Sequence, residues 1–129
     1  MALAVEIRTA EKTDVAAIAA MFAQDDLGGH GDSADPADLP LYHAAFERIA
    51  ASANDTLFVA ISEGEVVGTF QTTLITSMTG KGSSSLIIEA VHTRSDRRGL
   101  GIGAAMIGHA IEQGNGRAAG AIDVERHAG

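Results

Sequence analysis

The chain has 129 residues, of which 46% are apolar, enough for one globular domain over residues 1–129 with a core of its own. Seventeen acidic side chains against nine basic ones give a net charge of −8, which argues against a nucleic-acid partner held by bulk electrostatics. Cysteine is absent, so disulfides, thiolate nucleophiles and cysteine–zinc sites are excluded, which fits a reducing, cytoplasmic setting.

Residues 3–8 alternate apolar and polar side chains and predict a first strand. The early charges Glu6, Arg8, Glu11 and Lys12 give no sign of a signal peptide, and no apolar run is long enough to imply a membrane partner. Thr9 or Thr13 is the expected cap of a helix whose stripe is Val15, Ile18, Ala19 and Phe22. Residues 25–39 hold glycines, Pro36 and five acids (Asp25, Asp26, Asp32, Asp35, Asp38), the composition of a loop. Tyr42, Ala45, Phe46 and Ile49 restore helical spacing from about Pro40 to Ala53. Residues 56–61 predict a strand, Glu63-Gly64 a tight turn, and residues 66–75 the strand that pairs with it. A small, polar, flexible segment, 77–85, leads into the apolar run 86–91.

After that run come three arginines (Arg94, Arg97, Arg98), then Gly99-Leu100-Gly101-Ile102-Gly103, then a helix. The expected helix stripe is Leu100, Ala104, Ile107 and Ile111, with an end near Gln113 set by Gly114 and Gly116. Residues 121–125 fit one more short strand. A strand feeding a glycine-rich loop at a helix start can hold a phosphate: free N–H groups of the first turn point at the anion, and the helix dipole favours negative charge. Two look-alikes fail. The spacing at 99–103 is not Gly-x-Gly-x-x-Gly, and Ala104-Ala105 stands where a P-loop needs Lys-Ser/Thr. The five histidines show no metal-ligand spacing, so no metal is expected, and no Gly-x-Ser-x-Gly elbow exists.

Arg98-Gly99-Leu100-Gly101-Ile102-Gly103 resembles the Arg/Gln-x-x-Gly-x-Gly/Ala signature of the GNAT superfamily, the acetyl-CoA-dependent N-acyltransferases. The resemblance implies an α+β fold: an open, mixed, mostly antiparallel sheet with helices on both faces, in the order β-α-α-β-β-β-α-(β). It implies acetyl-CoA as co-substrate, with its pyrophosphate on residues 97–103 (Arg97, Arg98, Gly99, Leu100, Gly101, Ile102, Gly103) and its pantetheine arm on the backbone of Ala90, Val91 and His92. It also implies a small-molecule amine as partner, with the loop between the first two helices over the acceptor site, bringing Asp25, Asp26 and His30 to the amine. Glu89 is the candidate general base or amine anchor. A carboxylate inside Leu86–Val91 is costly unless it is paired or functional, and family members carry a glutamate in this strand.

The chain lacks the family's further helix with an Arg-Phe-Tyr-like segment and the strand pair after it. That departure leaves the general acid unassigned. It also gives a second reading, a non-catalytic acyl-CoA-binding or regulatory module or a truncated inactive product. It would leave a sheet edge open to homodimer formation.

Overall fold

Runs rich in β-branched and aromatic residues form a single sheet. The computed structural model describes residues 4–24, 31–117 and 122–127. Its strands are β1 (Glu6–Thr9), β2 (Asp55–Ser62), β3 (Glu65–Thr76), β4 (Ser84–Thr93) and β5 (Ile122–His127). They lie side by side in chain order, β1 to β4 antiparallel and β5 parallel to β4. The helices are α1 (Val15–Gln24), α2 (Leu39–Ala51), a single turn α3 (Thr79–Gly82) and α4 (Ile102–Arg117). Helices α1 and α2 pack on one face of the sheet and α4 on the other. This is the expected order and architecture. The parallel β4–β5 pair requires a crossover, and α4 supplies it.

The α4 face holds the larger core. Phe58, Phe70, Leu86 and Ile88 of the sheet meet Ile102, Met106 and Ala110 of α4. The phenyl rings of Phe58 and Phe70 stack with centroids 4.7 Å apart. The buried stripe of α4 is therefore Ile102–Met106–Ala110, with Ile107 and Ile111 partly buried beside it, while Ala104 is exposed. It is not the stripe that begins at Leu100. Met106 decides the register: a Cβ on Gly68 of β3 would lie 2.9 Å from its sulfur, so helix and strand approach closely only because that residue is glycine. Helix α4 also runs on through Gly114 and Gly116 to Arg117. Glycine there weakens the helix without ending it.

On the opposite face Val59, Ile18 and Ala10 form a smaller core, with Phe22, Phe46 and Leu57 packed against it. The start of α1 departs from expectation. Neither threonine closes it. A 3-10 turn at Lys12–Asp14 precedes it, in which the Asp14 carboxylate accepts the Glu11 N–H at 2.7 Å and a two-pronged bond from the Arg8 guanidinium at 2.7 and 3.2 Å. A carboxylate that satisfies both a backbone donor and a fork of two N–H groups is a stronger stop than a hydroxyl. The β2–β3 turn is the expected Glu63-Gly64, with both residues at positive φ (52° and 79°), the geometry that matches strand twist. The flexible segment before β4 contains the turn α3, with Gly80 and Lys81 left-handed.

Candidate functional site

Strand β4 is irregular where the site lies. Its register against β3 runs Leu74↔Leu86 to Gln71↔Glu89, then resumes at Thr69↔His92. Two residues, Ala90 and Val91, thus oppose Phe70 alone, and Ala90 has φ 52°. This is a β-bulge, and a left-handed alanine is a strained way to make one. Pairing with β5 covers Ser84–Glu89 only, so no described residue of β5 stands beside Ala90–Thr93. The backbone that the resemblance assigns to a pantetheine arm thus has no β5 partner among the described residues.

The bulge also sorts the side chains. Ile88 and Val91 pack into the α4 core. By alternation, partly buried Glu89 turns to the α1–α2 face, beside Gln71 of β3. His92 is 6% exposed, its ring 4.8 Å from that of Phe22 in α1. Of the three β4 residues assigned to the co-substrate, Val91 offers backbone only, and the His92 ring is occupied by packing.

Downstream, Gly99 and Gly101 both have positive φ (79° and 83°), which turns the chain sharply into α4. The first intrahelical bond is donated by Ala105 to the Gly101 carbonyl at 3.1 Å. The N–H groups of Ile102, Gly103 and Ala104 come before it and form the donor end of the helix. A Cβ at Gly99 or Gly103 would meet nothing within 4 Å, so the loop is open to an approaching group. Ile102 is 1% exposed and its side chain belongs to the core, so it serves the loop as backbone alone. The basic turn is less free than its composition suggests. Arg94 binds Asp96 at 2.7 Å and Glu65 at 3.4 Å, and Arg97 reaches Glu65 at 3.8 Å while its buried Nε has no hydrogen-bond partner among the described residues. The cradle is mainly backbone, with Arg98 beside it.

Between α1, α2 and the sheet lies a cavity of about 250 Å³, with Ala90 and Gln71 at its floor. Its walls include Phe22, Phe46 and Ile49, the stripes expected for the two helices. The Tyr42 hydroxyl at its edge donates to the Asp32 carboxylate at 2.7 Å and accepts the Ser33 N–H at 3.1 Å. Burial pushes the Tyr42 phenol up, and donation to Asp32 adds to this. Asp35 caps the turn before α2 by accepting the Ala37 N–H at 3.0 Å. Two of the five loop acids thus hold the loop together. Asp25, Asp26 and His30, expected at the amine, lie outside the described residues. Sequence reasoning missed Gln71 and the cavity, because its lining comes from five separated segments and no local pattern marks them.

Among the described residues, a bulged strand runs past the end of its β5 pairing and then turns through glycines into a helix start. A family model described as the acetyltransferase (GNAT) family matches residues 12–128. The crystal structure of a transcriptional regulator from Bacillus halodurans C-125 is 34% identical, with 94% of this chain and 81% of that chain covered and a TM-score of 0.86. Glucosamine-6-phosphate N-acetyltransferase from Arabidopsis thaliana shares 15% identity over 95% of this chain and 82% of that one, at TM-score 0.76. A predicted acetyltransferase with acetyl-CoA from Clostridium acetobutylicum shares 17% over 94% and 80%, at TM-score 0.68. The last two likenesses carry the fold alone. No curated protein matches significantly. The chain belongs to the acetyltransferase (GNAT) family.

Proposed function

We propose that the protein transfers an acetyl group from acetyl-CoA to the primary amine of a small molecule. The observation that carries this reading is the β4 bulge at Ala90, placed where β5 pairing stops and one short turn upstream of the glycine loop. The residues present fit the co-substrate: the loop has open space at Gly99 and Gly103, and the donors of Ile102, Gly103 and Ala104 face a phosphate-sized approach. Arg98 adds charge to this cradle, and the edge of Ala90–His92 offers backbone groups to an extended amide-bearing arm. When bound, acetyl-CoA supplies an activated acetyl group, which the amine nitrogen takes as the C–S bond breaks.

The chain's own residues do the rest. Glu89 is the cross-strand partner of Gln71, which lines the cavity floor, and the two orient the amine. An ammonium ion must lose a proton before its nitrogen can attack, and the Glu89 carboxylate, directly or through water, takes it. The helices α1 and α2 keep water from the amine's far side. Holding both reactants on one bulged strand supplies the proximity advantage. The Tyr42 hydroxyl is committed to Asp32 and Ser33, so we assign it no proton transfer.

The test is mass spectrometry of the purified protein with acetyl-CoA and a panel of amines, beside calorimetry with CoA. Acetylated product with at least one amine is expected. CoA binding without product on any amine would remove the enzyme, and no binding at millimolar CoA would remove the site.

A further inference from the structure

Resting on that acetyl-transfer reading, we infer that the acceptor is a primary amine carrying a compact apolar group, aryl or branched alkyl, which is seated in the cavity between α1, α2 and the sheet. The cavity measures about 250 Å³. A dry apolar cavity of about 150 Å³ is enough to hold benzene, so this one takes a ring with a short alkyl chain. Its walls are Phe22, Phe46 and Ile49, and its floor is Leu57, Gln71 and Ala90. Among the described residues, no formally charged side chain lines it. A polycation or a sugar placed there would lose its water with too few polar partners to replace it.

The floor gives the orientation. Ala90 is the bulge residue itself, and Gln71 lies opposite Glu89 in the β3–β4 register. An amine whose apolar tail fills the cavity therefore presents its nitrogen between the Gln71 amide and the Glu89 carboxylate, beside the β4 bulge. The acids expected to attract a cation do not contradict this where they are described. Asp32 is held by Tyr42 and Asp35 by the Ala37 N–H, and neither lines the cavity. In the reaction the ammonium form gives up one proton before attack; as its nitrogen bonds to the acetyl carbon and the C–S bond breaks, a second N–H proton is lost and the thiolate is protonated, so amide, thiol and one net proton are released.

The experiment pairs turnover with binding. With acetyl-CoA as donor, kcat/KM for phenethylamine should exceed that for spermidine and for glucosamine by at least tenfold. Calorimetry in the presence of CoA should register phenethylamine binding to the wild-type protein. Ala45→Phe, which fills the cavity from α2, should raise the phenethylamine KM at least tenfold with CoA affinity unchanged. Ile49→Ala should shift preference toward a naphthyl amine, and it covers the case in which Ala45→Phe fails to fold. Faster turnover of spermidine or glucosamine would overturn the inference and leave acetyl transfer intact. So would Ala45→Phe impairing butyryl-CoA alone, which would place the acyl chain in the cavity. Phenethylamine that binds with the expected variant effects but is never acetylated would keep the inference about the cavity and overturn the catalytic reading.

Discussion

Glu89 stands where one substitution separates binding from turnover. Glu89→Gln keeps the shape of the side chain and its neighbour Gln71 but cannot accept a proton. We expect kcat/KM to fall about 100-fold or more, the usual scale of a lost general base, while calorimetric CoA affinity stays within a factor of two. Equal turnover by the variant would end the general-base role. At Gly101, with φ 83°, any side chain must enter the left-handed region. Gly101→Ala should cost about 1–2 kcal/mol and weaken CoA binding, read by urea unfolding and calorimetry on the same sample. The glycine turn was legible in sequence because glycines carry its conformation. The bulge was not, because it rests on Ala90, an ordinary residue in an unusual conformation. Only the register of β3 against β4 reveals it.

Among the elements, α4 teaches most. Its sequence is rich in alanine and glycine, so two neighbouring stripes are nearly equally apolar, and periodicity cannot choose between them. The choice falls to β3, where Gly68 leaves room for Met106. Met106→Ala should therefore cost about 2–4 kcal/mol in urea unfolding, as for other fully buried methionines. Gly68→Ala should cost about 1–3 kcal/mol, because its Cβ would press on the Met106 sulfur at 2.9 Å and the Ile102 Cγ2 at 3.2 Å, both fully buried. A neutral Met106→Ala would place the helix stripe elsewhere. The strands and the two helices of the opposite face were legible, since β-branched runs and apolar spacing point the same way there. The cavity between those helices and the sheet depends on how they tilt across β2, β3 and β4, which no spacing within one element encodes.

Over the whole molecule, the ion pair of Arg8 with Asp14 ties the end of β1 to the start of α1. Burial pushes the Asp14 carboxyl up, but the Arg8 guanidinium and the Glu11 N–H outweigh it and hold it below the usual carboxylate range. The Asp55 carboxyl is held low too, by the Thr73 and Ser52 hydroxyls. A carboxyl with a lowered folded value stabilises the fold above the unfolded carboxylate range, and that stability is lost as pH falls through the folded value. Asp14→Asn should thus lower stability by roughly 1–2 kcal/mol at pH 7, and the gap to wild type should shrink below about pH 4. Urea unfolding at the two pH values checks this. A gap that widens in acid would mean that Asp14 acts other than through its charge.

The chain has one tyrosine and no tryptophan. Its near-ultraviolet emission therefore comes from a single ring, that of Tyr42, at the wall of the apolar cavity. The phenol donates to the Asp32 carboxylate, so the light should report on this one hydrogen bond and on what lies against the ring. Unlabelled protein is its own optical probe of acceptor binding: an apolar amine should change the signal, and a spectator elsewhere on the molecule should leave it alone.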